Sequence, residues 1–186
     1  KIKLNKFGFS NKNICVIYNS LDYDEHLRLY NNLKRGSKKN SDFLSKKTPT
    51  VLFIGRLTKK KKIDILIKSL AILKDKNEII NLKVIGEGSE KKMLVSLARK
   101  HLESKNFNFF GSVYDESRLS ELIYNSDICI SPGNIGLTAI HSLSYGTPIA
   151  SHSNFDNQMP EVESIIVNQN GFLFEENDEN DLANKI

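Results

Sequence analysis

The sequence predicts an α/β protein with a Rossmann-like, doubly wound and mostly parallel sheet. Short apolar runs alternate with longer amphipathic segments from Thr50 onwards, a pattern typical of strands followed by crossover helices. The first of these runs, residues 51–54, is apolar throughout, as expected of a strand covered by helices on both faces. Glycines close several of the runs, at the positions where a strand would give way to a turn.

The chain divides into three segments. Residues 1–22 form a lead-in, in which the apolar run 14–18 predicts a first strand. Residues 23–49 are polar and lysine-rich towards their end, and they are predicted to be a linker or a partial helix. Residues 50–186 carry the regular strand and helix pattern, with a last helix that we expect to be truncated at Ile186.

The predicted elements of the main segment follow in order. Strands are expected at 51–54, 82–85, 107–110, 127–131, 149–150 and 171–174. Leucines and isoleucines recur between them at helical spacing, as in Ile63, Leu66 and Leu70. Asp115 is the predicted N-cap of the helix after the third of these strands. A helix of about three turns is predicted to follow residues 133–136.

Composition favours a soluble, cytoplasmic protein, with peripheral attachment at the inner face of a membrane as a variant. Hydrophobic residues make up 39% of the 186 residues, and no apolar run approaches the ~18 residues of a membrane span. Cys15 and Cys129 lie in apolar runs, so we expect buried thiols rather than a disulfide. The net charge of +5 suits RNA, an anionic membrane or a phosphorylated small molecule. Aromatic residues interleaved with basic ones, which would favour nucleic acid, are missing.

The most informative segment is residues 133–138, which we call the glycine turn. Gly133 and Gly136 leave room for a sharp turn or a close ligand, and a helix is predicted to begin directly after them. The unpaired amides and positive dipole of a helix start favour bound phosphate. The turn follows a strand, and ligands of parallel sheets bind at the carboxyl ends of strands.

Two cations follow the strand 51–54. The guanidinium of Arg56 and the ammonium of Lys61 suit the two phosphates of a diphosphate. Residues 59–62 are all lysines and could equally be a solvated charge run, but the glycine turn favours the phosphate interpretation. The glycine pair at Gly86 and Gly88 is a weaker signal, which gains weight because it should lie at the same sheet edge.

Histidines supply the remaining polar candidates. His141 follows the glycine turn by one helical turn, where it would bond either to backbone or to a group attached to the phosphates. His152 closes the next strand, so the two histidines are expected to approach each other. No metal site is expected, because no carboxylate or cysteine lies at a matching spacing. No nucleophile elbow or Walker lysine is present.

The order of these motifs resembles the group 1 glycosyltransferases, retaining enzymes of the GT-B fold. The motifs are Gly55-Arg56-Leu57 with Lys61, the runs 84–88 and 109–111, and residues 131–148. The match is to the C-terminal, donor-binding domain, and residues 16–22 resemble the entry from the interdomain linker. The resemblance implies a bacterial hexosyltransferase of glycan or polysaccharide biosynthesis. Its acceptor would bind an N-terminal domain absent from this chain, leaving the fragment inactive alone.

The resemblance also implies roles for particular residues. Arg56 and Lys61 would act as catalytic cations that stabilise the departing diphosphate in place of a metal or other cofactor. The donor, a nucleotide-diphosphate sugar, would place its base and ribose against turns 86–88 and 111–114. The implied donor-binding residues are Gly55, Gly86, Gly88, Val113, Gly133, Asn134, Ile135, Gly136, Leu137, Thr138 and His141.

The chain departs from the family at two positions. Gly133 and His141 stand where the family usually carries glutamates that contact the donor sugar and the ribose. Asn134 is then left to contact the sugar, and His141 to bond a ribose hydroxyl. Further candidates to line the cleft are Asn154, Gln158 and Glu161. The alternative functions are an epimerase-like nucleotide-sugar enzyme, a non-catalytic module that binds nucleotide or RNA, and a degenerate domain that serves assembly.

Overall fold

A computed structural model describes residues 6–15, 17, 19–36 and 48–186. It has a six-stranded sheet in which all strands are parallel, in the order β3-β2-β1-β4-β5-β6. The strands are β1 Thr50–Ile54, β2 Asn81–Ile85, β3 Phe107–Gly111, β4 Ile128–Ser131, β5 Ile149–His152 and β6 Gly171–Phe174. The predicted Rossmann-like sheet is therefore confirmed.

Helices cover both faces of the sheet. They are α1 Tyr23–Gly36, α2 Ile63–Asp75, α3 Lys91–His101, α4 Glu116–Tyr124, α5 Thr138–Ser144 and α6 Glu179–Lys185. Short 3₁₀ helices lie at Asn11–Asn13, Lys59–Lys61, Ser104–Asn106, Phe155–Asn157 and Pro160–Ser164. As predicted, the Asp115 side chain caps α4 by accepting a hydrogen bond from the amide of Arg118.

The core consists of two apolar layers separated by the sheet. Side chains alternate between the faces of a strand, so Val51 and Phe53 of β1 enter one layer while Leu52 enters the other. Helices α2, α3 and α6 cover the first layer, and α1, α4 and α5 contribute to the second. Because both faces are covered, β1 needs the uninterrupted apolar run that predicted it.

Several expectations for the ends and lengths of elements are wrong. Helix α5 has seven residues rather than about three turns. It begins directly after Leu137 and ends before Tyr145, which is followed by Gly146 with a φ of +69°. In the run predicted as a first strand, Ile14, Cys15 and Ile17 are not in a strand, and Ile17 is 87% exposed. Residues 16 and 18 of that run lie outside the described residues, as do 37–47 of the predicted linker.

The cysteines differ from each other. Cys15 is exposed, contrary to expectation, whereas Cys129 is buried as predicted. Burial raises the pKa of the Cys129 thiol to about 12, so it stays protonated. Within the described ranges, no helix is long and apolar enough to cross a membrane.

Candidate functional site

The turns after β1, β2 and β4 adjoin one another at the carboxyl edge of the sheet. The amide of Leu57 donates a 2.9 Å hydrogen bond to the carbonyl of Glu87, which joins the β1 and β2 turns. On the other side, the amide of Gly133 donates to the carbonyl of Lys61 at 3.0 Å. The β1 turn therefore lies between the other two, and the expected convergence of the turns is confirmed.

Glycines make this close packing of backbones possible. A Cβ atom at Gly86 would lie 1.9 Å from the Gly55 carbonyl oxygen, and one at Gly133 would lie 2.0 Å from that of Lys60. Any side chain at either position would push the turns apart. The glycine at position 133 is thus explained by a close approach of backbone.

Lys61 is directed into the glycine turn. Its Nζ atom donates to the carbonyl oxygen of Asn134 at 2.6 Å and to the side-chain oxygen of the same residue at 3.0 Å. Burial lowers the pKa of Lys61, the nearby Arg56 lowers it further, and Glu161 opposes both. The ammonium therefore lies in a site that already holds a second cation, an arrangement that an anion would stabilise.

Arg56 differs from Lys61 in having no protein partner. Its side chain is exposed, and it makes no hydrogen bond or ion pair with any residue in the described ranges. Its charge is close enough to Lys61 to lower the pKa of that group. An incoming anion could therefore contact both cations without breaking an ion pair of Arg56.

The side chain of Gln158 also bonds the glycine turn. Gln158 accepts a 2.9 Å hydrogen bond from the amide of Ile135, and its own amide group donates to Ser151 and to the carbonyl of His152. The following amides of the turn donate to no described residue; these are Gly136, Leu137 and Thr138. Gln158, one of the residues expected to line the cleft, thus contacts the turn through its side chain.

His141 does not have the surroundings that its sequence context predicts. Its Nε2 atom lies 2.6 Å from Oε1 of Glu116, and Tyr145 donates to the same carboxylate oxygen at 2.9 Å. His26 of α1 completes the group, with its Nδ1 atom 2.6 Å from the Tyr145 hydroxyl. We call these four residues the histidine cluster. No carboxylate was expected at a sequence spacing that suits a metal, and Glu116 contacts His141 from 25 residues away in the sequence, so sequence reasoning missed Glu116 and His26.

His152 takes a different carboxylate. Its Nε2 atom lies 3.9 Å from Oε1 of Glu176, so the expected approach of His141 and His152 is not found among the described contacts. Glu176 also accepts hydrogen bonds from Lys62 and Asn154, at 2.5 and 2.6 Å. The bond from Lys62 contributes most to lowering the pKa of Glu176 to about 2, while burial lowers the pKa of His152.

A cavity of about 340 Å³ connects this second group with the glycine turn. It is lined by Lys60, Lys62, Asn134, His152, Asn157 and Glu176. Asn154, which was expected to line the cleft, donates its side-chain hydrogen bond to Glu176. Glu161 is buried, accepts from Asn19 at 2.6 Å through Oε1, and has no described partner for Oε2.

The turns expected to hold a base lie on the β2–β3 side. Val113 is partly buried against the second apolar layer, and Tyr114 beside it is 92% exposed. At Gly86 and Gly88, backbone atoms of the β1 turn occupy the space that a Cβ atom would need. At Gly88 the nearest of these atoms is the carbonyl oxygen of Leu57. These glycines therefore have a packing role whatever ligand the turns contact.

Comparison with known proteins gives a consistent family. The family model for glycosyl transferases group 1 matches residues 34–186. The chain is 31% identical over 131 residues to an uncharacterized glycosyltransferase of Haemophilus influenzae, covering 69% of this chain and 35% of that protein. It is 27% identical over 160 residues to an uncharacterized 41.2 kDa protein in the cps region of Klebsiella pneumoniae, covering 84% and 40%.

A third relative is a glycogen synthase of Mycobacterium tuberculosis, 29% identical over 104 residues that cover 54% of this chain and 25% of that enzyme. The chain thus spans between 25% and 40% of the length of these relatives.

Solved structures share the fold at lower identity. The lipopolysaccharide outer core galactosyltransferase WaaB superimposes with a TM-score of 0.72 at 19% identity, over 99% of this chain and 48% of WaaB. HepE of Anabaena, in complex with UDP and glucose, gives 0.69 at 19% identity, over 98% and 49%. Together with the family match, these similarities show that the chain belongs to the group 1 glycosyltransferases and has a Rossmann-like domain of the GT-B type.

Proposed function

We propose that this chain is the donor-binding domain of a retaining, metal-independent hexosyltransferase of glycan or polysaccharide biosynthesis, which uses a nucleotide-diphosphate sugar. One observation carries the proposal: the exposed, unpartnered Arg56 lies beside Lys61 at the edge where the open amides of the glycine turn also lie. Two cations and a set of convergent amides match the charge and oxygen atoms of a diphosphate.

Arg56 and Lys61 act on the leaving group. When the bond from the sugar's anomeric carbon to the diphosphate oxygen breaks, negative charge builds up on that oxygen. Arg56 donates through its fork of N–H groups, and Lys61 adds a second charge from a partly buried position, where electrostatic stabilisation is stronger than in water. These fixed charges take the part that a divalent metal takes in other transferases.

The sugar and the nucleoside are assigned to opposite sides of the diphosphate. Asn134 is the candidate for the sugar side, because it borders the cavity that reaches His152 and Glu176. His141 is the ribose candidate, and since its Nε2 atom bonds Glu116, the free contact would be through Nδ1. The acceptor binds a further domain of the complete protein, and the chain alone binds donor without completing transfer.

Ligand-induced stabilisation tests the proposal. UDP is the first nucleotide to try, because the solved structures of HepE and of TarM from S. aureus, a second protein with this fold, are of complexes that contain UDP. Thermal shift and calorimetry with UDP, GDP and ADP would be run in the presence of a chelator. A ligand specific for the native state adds about 2.7 kcal/mol of stability at one hundred times its Kd.

Arg56→Ala and Lys59→Ala form the matched pair for this titration, since both residues are exposed cations of the β1 turn. Loss of binding in the first variant alone supports a diphosphate site. Equal loss in both variants, with affinity falling steeply as salt rises, would instead indicate diffuse binding of polyanions such as RNA.

A further inference from the structure

We propose that His26, Glu116 and His141 form a site for one transition-metal ion, with Zn²⁺ the best match. The ligand atoms of these three side chains all lie within 4.8 Å of one another. The proposal does not depend on the nucleotide-sugar function, because the ion would take Nε2 of His141, whereas the ribose contact proposed for this residue is through Nδ1.

The ligands come from three separate elements. His26 lies in α1, Glu116 is the first residue of α4, and His141 lies in α5. The distance from Glu116 Oε1 is 3.4 Å to Nδ1 of His26 and 2.6 Å to Nε2 of His141. Residues so far apart in sequence give no spacing signal, which explains why the site could not be predicted from sequence.

The donor set and its separations suit zinc. Two imidazoles and one carboxylate are a common protein ligand set for this ion, at bond lengths of about 2.0–2.2 Å. Ligand atoms of a tetrahedral site are then about 3.3 Å apart, by geometry from those bond lengths. The distance between Nδ1 of His26 and Oε1 of Glu116 is already close to this value. The distance between Nε2 of His141 and the same oxygen would have to increase by less than about 1 Å.

The surroundings provide both support and access. Tyr145 is buried and donates to the carboxylate oxygen of Glu116, the kind of outer contact that orients a metal ligand. Its hydroxyl also lies 2.6 Å from Nδ1 of His26, so an ion bound to that nitrogen would replace this contact and leave the bond to Glu116. The side chains of His26 and His141 are 9% and 15% exposed, and that of Glu116 is 28% exposed. An ion would therefore enter past Glu116. The same exposed side leaves a position for water as a fourth ligand.

The consequence would be structural. A bound ion would fix α1 to α4 and α5, and α5 begins directly after the glycine turn. It would thus hold α1 in place without contacting the diphosphate, which is compatible with metal-independent transfer.

Metal binding is measured directly. Zn²⁺ would be titrated against a chromophoric chelator, and Co²⁺ binding followed by its visible absorption, in a Cys15→Ser background that removes the exposed thiol. We expect one ion per chain, and a loss of affinity of more than about 100-fold in His26→Ala and in His141→Ala. His101→Ala, which removes a histidine of α3 far from the cluster in sequence, is the matched control and should bind as the parent protein does.

A second variant guards against misfolding. Glu116→Gln keeps the side-chain shape and an acceptor oxygen for Tyr145. It should also lower the affinity for the metal ion, while the circular dichroism spectrum stays unchanged. Binding that is equal in the parent, His26→Ala and His141→Ala proteins would overturn the proposal, as would no binding in the parent. Either result would show that the four side chains are a hydrogen-bonded cluster only.

Discussion

At the glycine turn, Arg56 and the amides of Gly136, Leu137 and Thr138 have no hydrogen-bond partner among the described residues. In the histidine cluster, by contrast, each of the four side chains already bonds another member. Unpaired polar groups that face solvent can bind a ligand directly, whereas a ligand of bonded and partly buried groups must replace hydrogen bonds that stabilise the fold. Removing an unpaired group of the first region should therefore affect binding, and removing a hydrogen bond between members of the second should affect folding.

The largest effect is expected where the glycine turn meets the β1 turn. Gly133→Ala places a Cβ atom 2.0 Å from the Lys60 carbonyl oxygen, and we expect the free energy of unfolding to fall by about 1–3 kcal/mol, as for other overpacked sites. Urea denaturation measures it. Gly136→Ala is the control, because its Cβ would meet only the flexible Met159 side chain at 3.3 Å. Equal stability of both variants would contradict the account of Gly133.

The next effect concerns the histidine cluster. Tyr145→Phe removes the hydroxyl that donates to Glu116 and contacts His26, so stability should fall by about 1–2 kcal/mol, with no change in nucleotide affinity. Urea denaturation and calorimetry on the same protein separate the two. Tyr30→Phe, at a partly buried tyrosine of α1 outside the cluster, is the comparison. A loss of nucleotide affinity in Tyr145→Phe would mean that the two regions are not separate.

A smaller effect is expected from raising the pH. The pKa of Lys61 lies below its ordinary value of 10.5 because of burial and the nearby Arg56. As the pH rises towards that lowered pKa, the ammonium loses its charge, and affinity for a nucleoside diphosphate should decline. Lys61→Arg should keep its affinity over the same range, since a guanidinium does not deprotonate. Parallel pH profiles for both proteins would contradict a role for Lys61 in binding the diphosphate.

The smallest effect is expected in acid, at Glu176. Its folded pKa of about 2 is below the ordinary 4.5, chiefly because Lys62 donates to it. A lowered carboxyl pKa stabilises the fold above 4.5, and this contribution is lost as the pH falls from 4.5 towards 2. Glu176→Gln should flatten the decline of stability in that window, whereas Glu163→Gln, at an exposed glutamate, should not. The same slope in all three proteins would exclude this contribution.

Sequence reasoning succeeded where the signal is local. The apolar runs predicted every strand of the sheet, since burial on both faces requires such runs, and glycines after β1, β2 and β4 marked the edge where the turns meet. It failed for Ile14, Cys15 and Ile17, whose run looks like a strand although Ile17 is exposed. An apolar run alone does not show whether a sheet offers it a neighbouring strand.

The candidate site was only half predictable for the same reason. Arg56, Lys61 and the glycine turn follow strand ends directly, and the parallel sheet brings such positions together. Glu116 and His26 act through tertiary contacts with residues far along the chain. Their side chains have no distinctive spacing, so only the folded arrangement reveals them.

The measurement that tests the central claim most directly is a calorimetric titration of this chain with UDP, GDP and ADP, with chelator present, on the parent protein, Arg56→Ala and Lys59→Ala. We expect one nucleoside diphosphate to bind the parent and Lys59→Ala equally, and Arg56→Ala to bind it at least about tenfold more weakly, as the loss of a charge-assisted contact requires. Equal affinity of all three proteins for that nucleotide would contradict the assignment of Arg56 and the glycine turn as a diphosphate site.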